Sequence, residues 1–189
     1  MIEPVTDLAP ITALGGTVPR SEIFGALTLS ENAGLALASL ALRKDQEMPK
    51  PFGLPLPEVG KAVSMGGLAA FWTGRGQWMI EAAGRGETDF AAALKAEVPK
   101  ACVSEQTDGW VAFDIASTQG AAPIEALMAR LVNLDSTGFG PGCATRTGLE
   151  HMSVFVIRRS EDRLTVMGMR TFADALWHAL AVTARRLDD

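Results

Sequence analysis

Hydrophobic positions along the chain change period several times, and each change marks an element. Residues 1–32 show no sustained period and carry Pro4, Pro10, Pro19 and the pair Gly15-Gly16. They read as an extended arm, with the boundary between arm (1–33) and a single domain (34–189) set by the first regular pattern. That pattern is residues 34–42, where leucines alternate with small residues and the alternation slips at Ser39, which predicts a strand with a bulge. Prolines at 49, 51, 55 and 57 then forbid a helix or central strand and predict a stiff, extended loop. Pro55 and Pro57 are candidate partner contacts, because such a loop loses little entropy on docking.

Downstream the pattern repeats as strand, strand, helix. Residues 68–72 and 78–83 alternate around Gly74-Arg75-Gly76, and a helix is expected over 89–98, capped by Thr88 and stopped by Pro99. Residues 101–105 and 110–115 form a second pair about Thr107-Asp108-Gly109, followed by a helix over 123–132 with Ile124, Leu127, Met128, Leu131 and Val132 on one face. The third pair, 152–157 and 164–169, turns at Ser160-Glu161-Asp162. Thr171 caps the last helix, 172–186, with Asp174 in its first turn and Arg185 and Arg186 in its last. Repeated ββα units predict an α+β fold of mainly antiparallel sheets with helices packed on one side.

Composition narrows the function classes. With 48% hydrophobic and 21% charged residues the chain is an ordinary globular sequence, and a net charge of −5 argues against a nucleic-acid surface. The start, Met-Ile-Glu-Pro-Val-Thr-Asp, lacks a basic region followed by an apolar run, and no apolar stretch reaches about 20 residues. A cytoplasmic protein with no membrane contact is expected, with Cys102 and Cys143 as reduced thiols. A mean hydropathy of +0.16 hints that some apolar surface is covered by another chain.

Chemical signals are sparse. Two histidines and no tyrosine are present, with no HExxH, GxSxG or Walker sequence. Cys102, Cys143, Glu150 and His151 are scattered rather than paired at ligand spacing, so no metal site is expected. Cys143 and His151 as a nucleophile pair lack any evident activating neighbour, and Gly138-Phe-Gly-Pro-Gly142 reads as a turn. No catalytic residue is assigned. Asp114, at a strand end, is the one fair candidate for a ligand-facing carboxylate, against its reading as a turn or cap residue. On the last helix, Trp177 and His178 fall off the stripe centred on Leu176. They mark either a partner interface or a ring packed beneath the arm or the proline-rich loop.

Three strings, Thr147-Gly-Leu-Glu-His-Met-Ser-Val, Arg158-Arg-Ser-Glu-Asp and Arg170-Thr-Phe-Ala-Asp-Ala-Leu-Trp-His178, resemble the gamma subunit of bacterial heterotetrameric sarcosine oxidase. Leu54-Pro-Leu-Pro57 ahead of the Trp72–Trp78 hairpin, the segment 126–135 and Phe139-Gly-Pro-Gly142 fall where that family places them. The resemblance implies a domain similar to the folate-binding domain of the glycine-cleavage aminomethyltransferase. It implies a non-catalytic assembly subunit, partnered by alpha, beta and delta subunits, of an enzyme that oxidatively demethylates sarcosine to glycine. FAD, FMN, NAD, tetrahydrofolate and zinc are implied for those partners and no cofactor for this chain. The alternative is a stand-alone folate-binding or aminomethyltransferase-like protein. Of the Lys-Gly-Cys-Tyr-x-Gly-Gln signature of a related folate-dependent family, Gly142-Cys143 keeps only Gly-Cys, so that activity is not carried over.

Overall fold

The structure is a computed structural model that describes residues 9–135 and 138–188. Residues 1–8, the first part of the expected arm, lie outside the described residues.

Two antiparallel sheets lie face to face. The first holds β1 (Ser21–Phe24), β2 (Leu27–Glu31), β8 (Trp110–Ser117), β11 (Arg163–Met169), β10 (Met152–Ser160) and β9 (Ala144–Leu149), in that order. The second holds β4 (Ala62–Met65), β5 (Leu68–Gly74), β6 (Gln77–Ala82), β3 (Ala36–Ala41) and β7 (Cys102–Glu105). Alternation of side chains along each strand divides the core. On β8, Val111, Phe113 and Ile115 face outward onto α2 (Ala121–Leu131) and α3 (Ala173–Asp188), where Ile124, Leu127, Leu176 and Leu180 meet them. On the second sheet, Ala38, Leu40 and Ile80 face outward onto Phe90 and Leu94 of α1 (Phe90–Glu97). Between the sheets, Leu37, Phe71 and Met79 pack against Phe155, Ile157 and Met167. Each sheet therefore carries its helices on one side, the α+β arrangement expected of the repeated units.

Several local expectations are corrected. The boundary at residue 34 cuts through the core, because β1 and β2 form a hairpin that pairs with β8 and buries Phe24, Leu27 and Leu29 under the helices. The proline-rich stretch is likewise part of the domain: Leu54 is fully buried against α1 and the second sheet, and Pro57 is buried with its carbonyl accepting the Trp78 Nε1 proton at 2.8 Å. Ser39 lies in an unbroken register with β6 rather than in a bulge. Residues 102–105 and 110–117 do not pair with each other; the 3-10 turn Thr107–Gly109 carries the chain from the second sheet to the first. Asp89, not Thr88, caps α1, its carboxylate accepting from the Ala92 amide at 2.9 Å. Thr171 lies in a 3-10 turn ahead of α3, and Phe172 is exposed.

Candidate functional site

The inner faces of the sheets are apolar at one end and polar at the other. Glu81 interrupts the apolar strand β6 at an inward position and is 4% exposed. A bulge in β10 supplies its partner: the register with β11 shifts between Arg158 and Ser160, and Arg159, in the shift, reaches across the interface. Its Nη2 donates to both Glu81 carboxylate oxygens at 2.8 Å, and its Nε donates to Thr165 Oγ1 at 3.0 Å. Thr165 lies opposite Asp114 in the β8–β11 register and donates its hydroxyl proton to Asp114 Oδ1 at 2.6 Å. Asn32 Nδ2 donates to Asp114 Oδ2 at 2.8 Å. A continuous network thus runs from Asn32 to Glu81 through Asp114, Thr165 and Arg159.

Glu81 and Arg159 are paired with each other and Asp114 is hydrogen-bonded on both oxygens, as burial of charge requires. The network lines an open cleft of about 400 Å³, whose other walls include Leu35, Ala116 and the Met65-Gly66-Gly67 turn between β4 and β5. That volume suits a small ligand. Asp114 takes one donor on each oxygen, which leaves it further acceptor capacity toward the cavity. The lining offers the Ser64 and Thr165 hydroxyls, the Asp114 and Glu81 carboxylates and the Arg159 and Arg163 guanidiniums, groups suited to hydrogen bonding and charge recognition.

The residues singled out from sequence are dispersed. Asp114 sits within a strand, not at its end, and belongs to the cavity. Trp177 is 4% exposed, edge-on to Phe113 at 5.4 Å between ring centroids, with the Arg20 guanidinium 4.8 Å above its ring. Its assignment to a partner surface is therefore corrected: it is core, packed beneath the segment that leads into β1. One position on from Leu176 is a rotation of about 100°. That rotation stays inside the buried face because α3 packs on β1, β2, β11 and α2 at once. His178 and Pro55 are exposed, but on opposite outer sides of the sandwich, and Pro57 is buried. Cys143 precedes β9 and His151 follows it, so the two are not brought together. Among the described residues no three of His, Cys, Asp and Glu converge as metal ligands, and no helix is long and apolar enough to cross a membrane.

Sequence reasoning overlooked the Glu81–Arg159 pair. Its signal was two opposite charges, each embedded in an otherwise apolar strand run, Trp-Met-Ile-Glu-Ala and Val-Phe-Val-Ile-Arg-Arg. It also overlooked Arg158, 1% exposed beside α2, where burial pulls its pKa below the ordinary arginine value against the charges of Glu125, Glu161 and Asp162. Its Nη2 donates to the Glu161 carbonyl, while Nε and Nη1 have no hydrogen-bond partner among the described residues.

No family model matches the sequence, and no curated protein sequence matches it. The fold has solved counterparts. A chain of the heterotetrameric sarcosine oxidase from Corynebacterium sp. U-96, in complex with pyrrole 2-carboxylate, superposes with a TM-score of 0.75 at 17% identity, over 89% of this chain and 88% of that one. The glycine cleavage system aminomethyltransferase T from Bartonella henselae superposes with a TM-score of 0.59 at 15% identity, over 82% of this chain and 48% of that one. These likenesses establish a shared aminomethyltransferase-like fold.

Proposed function

We propose that this chain is a non-catalytic assembly subunit of a heterotetrameric sarcosine oxidase, docking on larger subunits that carry the chemistry of sarcosine demethylation. The observation that carries this reading is coverage in both directions: 89% of this chain and 88% of the oxidase chain correspond, so the two match as whole units. Only 48% of the aminomethyltransferase is matched, so that likeness concerns part of a larger enzyme. In this role the sandwich acts as a rigid body, and the exposed apolar side chains Ile11, Val18, Ile23 and Phe172 are available to a partner.

The cavity favours a second reading, a folate-binding-like protein, because Asp114 presents a carboxylate to a space of small-molecule size. Three measurements separate the readings. The purified chain is titrated with tetrahydrofolate by calorimetry and assayed for bound flavin and for sarcosine-dependent peroxide. An assembly subunit gives no binding, no flavin absorbance and no peroxide alone. Saturable tetrahydrofolate binding that is lost in Asp114→Asn would instead establish the second reading.

A further inference from the structure

The edge strands β4 and β9 of the two sheets are joined by a single antiparallel bridge, Lys61 opposite Cys143. The Ala62 amide donates to the Gly142 carbonyl and the Ala144 amide to the Gly60 carbonyl, both at 2.9 Å. Side chains directly opposite in such a bridge lie on one face with their Cβ atoms about 5 Å apart. Here their ends meet: Lys61 Nζ donates to Cys143 Sγ at 3.4 Å, and the thiol in turn donates to the Gly138 carbonyl at 3.7 Å. The amine is thereby held against the sulfur by the backbone on both sides. The sulfur is mostly buried, at 7% exposure for the residue, whereas Lys61 is exposed. Neither residue belongs to the network lining the cavity.

We propose that Lys61 and Cys143 are the two ends of a redox-controlled covalent clasp between the sheets, closed by hydrogen peroxide and opened by thiols. In the first step the Cys143 sulfur attacks peroxide. An S–O bond forms, the O–O bond breaks, and sulfenic acid and one water result. In the second, the neutral Lys61 amine attacks that sulfur: an N–S bond forms, the S–O bond breaks, and the leaving oxygen departs as water with a proton from nitrogen. Sulfur has lost two electrons and peroxide has gained them, and the chain is two hydrogens lighter. Sulfenic acids condense with backbone nitrogen in the same manner. A first thiol attacks the sulfur, breaking the N–S bond to release the amine and leave a mixed disulfide; a second thiol attacks that disulfide, regenerates the Cys143 thiol and leaves as the reductant's disulfide. The clasp joins residues 82 apart in sequence, so closing it constrains the unfolded chain and raises the thermal midpoint.

The test uses the full chain with exposed Cys102 replaced by serine, exposed to millimolar hydrogen peroxide and digested without reductant. The expected result is a peptide pair joining Lys61 to Cys143, two hydrogens lighter than its separate halves, which a thiol splits. Lys61→Arg, which keeps the charge, should instead leave Cys143 open to a sulfenic-acid probe with no linked pair, and Cys143→Ser should lose the product. The thermal midpoint should rise with peroxide only where both residues are present. Oxidation of Cys143 to sulfinic or sulfonic acid without any Lys61-linked peptide would overturn the proposal. So would a Cys143 that stays a free thiol under peroxide.

Discussion

Arg159 grips both carboxylate oxygens of Glu81 through one nitrogen, at 2.8 Å each, across an interface between two sheets whose core is apolar, packed by side chains such as Leu37, Phe71 and Met167. Removing one partner leaves the other charge poorly hydrated, at 5% side-chain exposure for Glu81 and 22% for Arg159. Glu81→Ala should therefore cost about 3 kcal/mol of stability in urea denaturation. Replacing the pair by Met and Leu should recover most of that loss, since no charge is then stranded. Equal losses in the single and double variants would show that the pair contributes packing alone.

Trp177 gives the opposite outcome to an interface residue. Its ring fills the space between α3, Phe113 and Arg20, while its Nε1 has no hydrogen-bond partner among the described residues. Trp177→Ala should lower stability by about 3–5 kcal/mol through the cavity it leaves. Trp177→Phe, which also removes the unpartnered donor, should cost about 1–2 kcal/mol. Thermal denaturation of both variants checks the pair of values.

These residues show what the sequence could and could not convey. The β5–β6 and β10–β11 hairpins and the length of α3 were legible because period, turn residues and charge placement agree there. The edge strands β4 and β9 were missed, since edge positions alternate only weakly between buried and exposed. Trp177 misled and Arg158 went unnoticed because burial on a broad helix face, or in a strand beneath a helix, depends on elements distant in sequence. Asp114 was identified as the candidate carboxylate, but Glu81, Arg159 and Thr165 meet it only through a sheet order no local pattern encodes.

Glu31 fastens the segment ahead of β1. It is 5% exposed and accepts from the Leu14 amide at 3.1 Å and the Arg20 amide at 3.3 Å. Glu31→Ala should cost about 1–3 kcal/mol. It should also speed hydrogen exchange at the Leu14 and Arg20 amides while β8 stays protected. Unchanged exchange at those two amides would show that the segment is held by other contacts.

Glu105 sets a small acid-side dependence. Burial pushes its pKa up, but the Thr107 hydroxyl at 2.5 Å and the Thr107 and Gln106 amides outweigh burial and hold it below the ordinary glutamate value. A depressed carboxylate stabilises the fold above its unfolded-state pKa and loses that contribution as pH falls through the folded-state one. Carboxyl-carbon NMR should show a midpoint below that of a glutamate peptide, and Thr107→Val should move it upward. A midpoint at or above the peptide value would contradict this.

The central claim, that the chain works as a subunit of a sarcosine oxidase, is tested most directly by native capture. The chromosomally tagged chain is purified from its own cells grown on sarcosine, and the eluate is read for flavin absorbance, stoichiometry and sarcosine-dependent peroxide. The account predicts a complex holding one copy of this chain with larger flavin-bearing chains, and peroxide formed on addition of sarcosine. Recovery of the chain alone, without flavin and without peroxide, would contradict it.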